Sequence, residues 1–477
     1  MRITLTGATG LIGRALVPAL QQRGHNVVAW VRSAERARSR LGADVVLVED
    51  DGSPASLDAA LAGADAVVNL AGESVLGGRW TTRRRQALRA SRVDLTARLV
   101  SAIRRMATPP QVLVSGSAVG YYGNRGAYLL PETAAGADDF LAQLCRDWEA
   151  AARAASDLCR VVTLRTGVVL ARDGGALALM VPAFRFGLGG APGNGRQYMP
   201  WIHLHDMVEV IVRAVEDPRY AGPVNAVAPE PVTAAAFARA LGRALHRPVW
   251  APLPAFALRA ALGDSASVLL DSQWATPAQL TTWHHPWHFP TIDAALADLL
   301  EPDDTVSIRR VESGSGPIHP YLTARPARYV LSSRTTLNAP LADTFAFFSK
   351  PENLGLITPS AMQFVITGRP EAITESAVIT YRIRVGPLPM QWRTRITCWE
   401  PGVRFVDVQE SGPYRAWYHE HTFRAEGDRT VMEDRVYYAP PFGVLGRIAH
   451  GLFIAPMLRH IFRYRQDIIR LRFGAPA

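Results

Sequence analysis

Short apolar runs recur along the first half of the chain, and the stretches between them place apolar residues every three or four positions. Val27-Val-Ala-Trp-Val31, Val45-Val-Leu-Val48, Ala66-Val-Val-Asn-Leu70, Val112-Leu-Val-Ser115 and Val161-Val-Thr-Leu164 read as strands buried on both faces. Arg83 to Met106 and Asp138 to Ala155 carry the helical period. Strands alternating with helices over residues 1–240 predict an α/β doubly wound parallel sheet. From Val232 the pattern turns helix-rich, so residues 231–300 are expected to form a helical extension closing a first domain, 1–300.

Residues 301–325 are polar and carry glycine and proline (Glu301-Pro-Asp-Asp-Thr, Glu312-Ser-Gly-Ser-Gly-Pro), the composition of a linker. Beyond it the period changes to two. Ala377-Val-Ile-Thr-Tyr-Arg-Ile-Arg, Met390-Gln-Trp-Arg-Thr-Arg-Ile-Thr and Thr430-Val-Met-Glu-Asp-Arg-Val-Tyr-Tyr alternate as half-buried strands, and Leu445 to Phe473 reads as a long closing helix. A second domain of α+β type is expected over 326–477.

Chemistry is most legible at the start. Met1-Arg-Ile-Thr-Leu-Thr-Gly7-Ala-Thr9-Gly10-Leu11-Ile12-Gly13-Arg14 is a strand, a glycine turn and the first turn of a helix. Such a turn lets backbone approach a pyrophosphate and offers it the N–H groups of a helix N-terminus. Gly7, Thr9, Gly10, Leu11, Ile12 and Gly13 are therefore candidate cofactor contacts. An acidic residue after the second strand would hold a ribose 2′-hydroxyl, whereas this chain has Arg32-Ser33 there, which suits a 2′-phosphate. NADP(H) is expected in preference to NAD(H). Asn69, Ala71 and Gly72, at the carboxyl end of another strand, and Ser115 complete the expected cofactor set. Ser117, Tyr121 and Tyr122 follow as hydroxyls able to polarise or protonate a substrate carbonyl.

Charge adds little to this. The chain has a net charge of +10, and Lys350 is its only lysine. No dense basic block is interleaved with aromatics, so nucleic acid is not an expected partner. Three cysteines without zinc spacing fit a reducing cytoplasm. An N-terminus that opens as a core strand argues against a cleaved signal, and no apolar run reaches the ~18 residues of a membrane span. Oligomeric state leaves no mark on the sequence.

Thr6-Gly-Ala-Thr-Gly-Leu-Ile-Gly13, Asn69-Leu-Ala-Gly72, Ser115-Gly-Ser-Ala-Val-Gly-Tyr-Tyr-Gly123, the block 165–177 and the block 201–216 together resemble an extended short-chain dehydrogenase/reductase. Residues 72–81, 138–152 and 225–233 resemble its epimerase-like branch with a short C-terminal extension. The resemblance implies a Rossmann-type cofactor domain with a small substrate lobe. It also implies a Tyr-x-x-x-Lys pair, whose positions fall here at Leu141 and Cys145. Arg146 is the nearest cation to replace the lysine at the nicotinamide ribose. Three outcomes follow: Tyr121 or Tyr122 acts as the acid with Ser117, Cys145 does so, or the domain binds NADP(H) without turnover.

Residues 339–359 and 440–452, in a sequence of strand, short helices, strands and long helix, resemble the START-like helix-grip superfamily. That resemblance implies a cavity for a hydrophobic small molecule. Phe364, Tyr381, Trp392, Trp417 and Phe423 are candidate inward aromatics. His419 and His421 share one face of a strand with Glu420 turned away, so no carboxylate is expected beside them. The run His284-His285-Pro286-Trp287-His288 likewise has no nearby carboxylate at ligand spacing, and no metal is expected at either place. The basic, amphipathic closing helix is expected to pack on its own sheet in preference to a membrane surface. The function expected is an NADP(H)-dependent oxidoreductase or epimerase acting on a lipophilic small molecule. Its alternative is a non-catalytic NADP(H) sensor or scaffold carrying a lipid-binding module.

Overall fold

Ile3 and Leu5 are wholly buried in the first strand, β1 (Arg2–Thr6), and the helix that follows, α1 (Leu11–Gln22), turns Leu16 and Leu20 onto it. This opening unit sets the plan of a computed structural model that describes all residues except 43, 77, 173, 186, 251–252, 301–305, 313–315, 371–372, 386–387 and 475–477. The chain divides into two units, Met1–Ala34 with Val45–Glu301, and Glu35–Asp44 with Pro302–Ala477.

The first unit is built on β1, β2 (Asn26–Val31), β3 (Val46–Glu49), β4 (Ala66–Asn69), β5 (Val112–Ala118), β6 (Arg160–Thr166) and β7 (Gly222–Ala226). These seven strands lie in the order β3-β2-β1-β4-β5-β6-β7, each parallel to its neighbours. This is the Rossmann-type parallel sheet expected from the alternation of the sequence. The strand order reverses between β1 and β4, which opens a crevice at their carboxyl ends. The stretch read as one helix from Arg83 is α2 (Thr82–Arg89), a π-helical turn over Ala90–Asp94, and α3 (Leu95–Arg105). Asp139 caps α4 (Phe140–Arg153), accepting from Leu141 N at 2.9 Å and Ala142 N at 3.1 Å. Helices occupy much of 231–300, including Ala234–Ala244, Ala255–Leu262 and Ile292–Leu300.

The second unit holds β8 (Val306–Arg310), β9 (Tyr329–Leu337), β10 (Val365–Gly368), β11 (Val378–Val385), β12 (Leu388–Glu400), β13 (Arg404–Ser411), β14 (Ala416–Glu426) and β15 (Arg429–Ala439). They form one antiparallel sheet of eight strands, ordered β8-β9-β15-β14-β13-β12-β11-β10. Strand β8 lies inside the stretch read as a linker, while 301–305 and 313–315 fall outside the described residues. The closing helix begins as Gly443–Ala449, passes through a π-helical turn at His450–Ile454 and continues as α5 (Ala455–Phe473). Its Leu458 and Phe462 pack with Leu331, Trp417 and Tyr438 of the sheet, and its Ile469 with Leu337 and Phe423. The three cysteines are free thiols. Among the described residues no helix is long and apolar enough to cross a membrane.

Candidate functional site

The glycine turn closes on the loop after β4. Gly7 has φ +71°, and a Cβ there would stand 2.6 Å from the Leu70 carbonyl carbon. A Cβ on Gly13 would overlap the Gly7 carbonyl oxygen, so the first turn of α1 sits directly on the glycine turn. Gly10, the N-cap of α1, provides no side-chain cap to the N–H groups behind it. Thr9, Leu11 and Ile12 are half-buried around them, with Ala71 and Gly72 across the crevice. Arg32 follows β2, highly exposed, and its guanidinium reaches Glu73 at 3.5 Å. The turn, the edge of β2 and the loop after β4 thus converge on one crevice.

Arg92 was not anticipated there. It stands in the π-helical turn, donates to the Glu73 carbonyl at 2.7 Å and lies 5.3 Å from the Trp148 ring. A Cβ on Gly72 would be 3.1 Å from its guanidinium carbon. Burial lowers its pKa. In sequence it is one arginine among several on a helical stretch, and nothing local distinguishes it.

Asn69 and Ser115 lie below the crevice, both fully buried. Asn69 accepts from Thr6 Oγ1 at 2.7 Å and donates to Thr96 Oγ1 at 2.8 Å and Ser115 Oγ at 3.3 Å. Their side chains tie β1, β4 and β5 to α3.

Ser117 and Tyr122 are likewise engaged within the fold. Ser117 Oγ donates to Glu149 Oε1 at 2.8 Å. Tyr122 Oη donates to Asn225 Oδ1 at 2.7 Å and accepts from Arg165 Nη1 at 2.9 Å. Burial pushes the Tyr122 phenol up to about 12, far from the range of a general acid at neutral pH. Arg165 joins the two groups through Glu149, donating Nε to Oε1 at 2.8 Å and Nη2 to Oε2 at 3.0 Å. Burial works against the Arg165 charge, but the Glu149 bonds outweigh it and hold its pKa above the ordinary value. Tyr121 is half-buried, its ring centroid 3.6 Å from the Arg165 guanidinium carbon.

On α4 the positions that the resemblance implies for the Tyr-x-x-x-Lys pair hold Leu141 and a buried Cys145, whose thiol burial pushes up to about 12. Arg146, expected at the ribose, instead donates to the Ala137 carbonyl and pairs with Asp138 at 3.2 Å. The histidine run near residue 285 does meet a carboxylate: Asp206 accepts from the backbone N–H of His288 at 2.9 Å and of Phe289 at 3.1 Å.

The second unit encloses a cavity of about 510 Å³ between the sheet and the closing helix, walled by Tyr381, Trp392, Trp417, Ile461 and Phe462 among others. Phe364 also lines it, whereas Phe423 packs in a core cluster with Phe345 and Phe405. One wall is polar: Asp407, His419, His421 and Arg465. The expectation that the histidines lack a carboxylate is overturned by strand register, which sets Asp407 opposite His419 and Asp434 opposite His421. Burial lowers His419 to about 4, while Asp434, despite its own burial, is held far below the usual carboxylate range by Arg465 and the two histidines.

Residues 3–227 match the model of the NAD dependent epimerase/dehydratase family, and residues 253–299 match a domain of unknown function, DUF1731. The chain is similar to the epimerase family protein Mb2239 of Mycobacterium bovis, 42% identical over 296 residues that cover 62% of this chain and 96% of that protein. It is 37% identical to human epimerase family protein SDR39U1 over 304 residues, 63% of this chain and 100% of the relative. A crystal structure of human SDR39U1 (isoform 2) with NADPH aligns with a TM-score of 0.58 at 36% identity, covering 63% of this chain and 99% of that one. Similar to epimerase family proteins at 37–42% identity over 96–100% of their length, and matched by that family model over residues 3–227, the chain belongs to the NAD dependent epimerase/dehydratase family.

Proposed function

We propose that residues 1–300 bind NADP(H) in the crevice over β1 and β4 and act as an oxidoreductase or epimerase, and that residues 326–477 are a START-like helix-grip module holding a lipophilic small molecule. The observation that carries the first part is the uncapped N-terminus of α1, seated on the Gly7 turn. The exposed Arg32 beyond β2 supports a 2′-phosphate, as does the NADPH in the human relative's structure. Tyr121 is the hydroxyl left to serve as acid, since Ser117 and Tyr122 are engaged by Glu149, Asn225 and Arg165. The cavity of the second unit supports the lipophilic ligand. Free cysteines are consistent with a cytoplasmic setting.

Fluorescence titration with NADPH and NADH tests the cofactor. NADPH should bind at least ~10-fold more tightly, and Arg32→Glu should remove that preference. Equal affinities in the parent protein would reject the NADP(H) assignment. A second reading, cofactor binding without turnover, is favoured by the engaged Ser117 and Tyr122 and by Leu141 and Cys145 at the pair positions. NADPH oxidation across a panel of carbonyl compounds separates the two: turnover lost in Tyr121→Phe supports the enzyme, and tight binding with no turnover supports the sensor.

A further inference from the structure

The polar wall of the second unit's cavity combines two imidazoles and two carboxylates in an arrangement that hydrogen bonding alone leaves frustrated. Asp407, on β13, His419 and His421, on β14, and Asp434, on β15, project to one face of three adjacent strands. His421 Nδ1 lies 2.7 Å from Asp434 Oδ1, and His419 Nε2 lies 3.1 Å from the same oxygen. Arg465 Nη2, 3.1 Å from His421 Nδ1, donates to it, so His421 places its N–H (Nε2) on Asp407 Oδ2 at 3.2 Å while His419 Nε2 places its own on Asp434. The remaining nitrogens, His419 Nδ1 and His421 Nδ1, are then lone pairs. Each faces a carboxylate as well, His419 Nδ1 at 3.4 Å from Asp407 Oδ2 and His421 Nδ1 at 2.7 Å from Asp434 Oδ1, acceptor against acceptor.

Extra protons relieve this poorly. One imidazolium satisfies one contact and leaves the other lone pair opposed to the carboxylate. Two would stand with ring centroids 3.8 Å apart, beside Arg465, whose Nη2 is 3.1 Å from His421 Nδ1. A cation in the middle removes the conflict. Asp407, His419 and His421 offer ligand atoms that all lie within 4.8 Å of one another. A metal with bonds of ~2.1 Å separates tetrahedral ligands by about 3.4 Å, matching the two measured distances. Behind this set Asp434 accepts from His419 Nε2, and with a metal on His421 Nε2 it would take the Nδ1 proton of His421 as well, 2.7 Å away; it is itself 3.3 Å from Arg465 Nη2. That is the outer carboxylate that fixes tautomer and orientation in histidine metal sites.

We propose that Asp407, His419 and His421 bind a divalent first-row transition metal ion at the wall of the apolar cavity. Two nitrogens and one carboxylate select such ions over magnesium or calcium. Three protein ligands leave at least one coordination position, and all three line the cavity. That position would take an oxygen donor, a carboxylate or phenolate, on an otherwise apolar molecule. Arg465, on the same wall, has a buried Nε with no hydrogen-bond partner. Asp434 is a positioning residue here and not a ligand.

Titrating tag-free, chelator-stripped full-length protein with Co²⁺ alone tests the site. A visible d–d absorption band saturating near one equivalent per chain is expected, with an upward shift in thermal unfolding. His419→Ala and Asp407→Asn should each abolish the band at equimolar metal, and Asp434→Asn should weaken affinity by roughly 10–100-fold while leaving the band shape in place. No band and no thermal shift in the parent protein up to millimolar Co²⁺ overturns the proposal, as does a band that survives unchanged in the ligand variants. If those variants lose their native circular dichroism, proton NMR of the parent with Co²⁺ decides. Two hyperfine-shifted exchangeable signals, one from each ligating imidazole, are expected, and their absence overturns the assignment.

Discussion

Arg165 and Glu149 meet in a two-pronged ion pair, Nε to Oε1 at 2.8 Å and Nη2 to Oε2 at 3.0 Å, with side chains only 3% and 0% exposed. The pair joins β6 to α4, and through Ser117 and Tyr122 it also anchors the end of β5 and the turn that follows it. It occupies the ground where the resemblance to reductases placed the reacting groups.

Glu149→Gln strips buried Arg165 of its carboxylate and should destabilise the fold by about 3–5 kcal/mol, whereas Arg165→Met leaves Glu149 its second ion pair, with Arg153 Nη1 at 3.2 Å, and should cost less; the double replacement should cost clearly less than the sum. Urea unfolding of the four proteins gives the coupling. Additive losses would mean that the two groups are held independently.

At Gly13, helix propensity and packing predict opposite signs. Alanine in a helix interior is favoured over glycine by about 1 kcal/mol. A Cβ there overlaps the Gly7 carbonyl oxygen, however, and backbone cannot swing away as a side chain can. Gly13→Ala should therefore be destabilising, by roughly 1–3 kcal/mol. Displacing α1 from the turn should weaken NADPH binding at least ~10-fold, about 1.4 kcal/mol. Thermal melts and fluorescence titration check the two effects separately.

These residues show what the sequence makes legible. The glycine turn is local: strand, glycines and helix sit within 22 residues, and their spacing is their geometry. What holds Ser117 and Tyr122 is not legible in their own segment, because Glu149, Arg165 and Asn225 come from elements far along the chain. Asp407 and Asp434 were missed beside the histidines for the same reason. Alternation tells which face His419 and His421 share, but only pairing register tells which residues of the neighbouring strands stand opposite. Arg92 needed the π-helical turn, a local irregularity with no periodic signal.

His285 predicts a pH dependence with a definite sign. It is buried, its Nδ1 is 3.0 Å from the Tyr220 hydroxyl and its Nε2 has no partner. Burial, aided by Arg213, lowers its pKa from the ordinary 6.5 to about 4. Between those values the unfolded chain binds the proton and the folded one does not, so stability falls as pH drops from 6.5 towards 4, by roughly 2–3 kcal/mol from this group. His285→Gln keeps an acceptor for Tyr220 but cannot titrate. Its stability should vary less steeply over that window than the parent's, by chemical denaturation at each pH; parallel profiles would show that His285 is not a source of the slope.

The cavity of the second unit makes a prediction that separates wall from core. At about 510 Å³ it is large enough for a drug-sized apolar molecule, and Ile461 is a partly buried member of its helical wall. Core residues resist enlargement because no space adjoins them, at a cost of typically 1–3 kcal/mol. A wall residue can grow into the void instead. Ile461→Trp should therefore leave the melting temperature within a few degrees of the parent while reducing binding of a fluorescent apolar probe at least ~10-fold, with NADPH binding by the same chain unchanged. A large loss of stability with probe binding retained would assign Ile461 to the packed core and place the probe elsewhere.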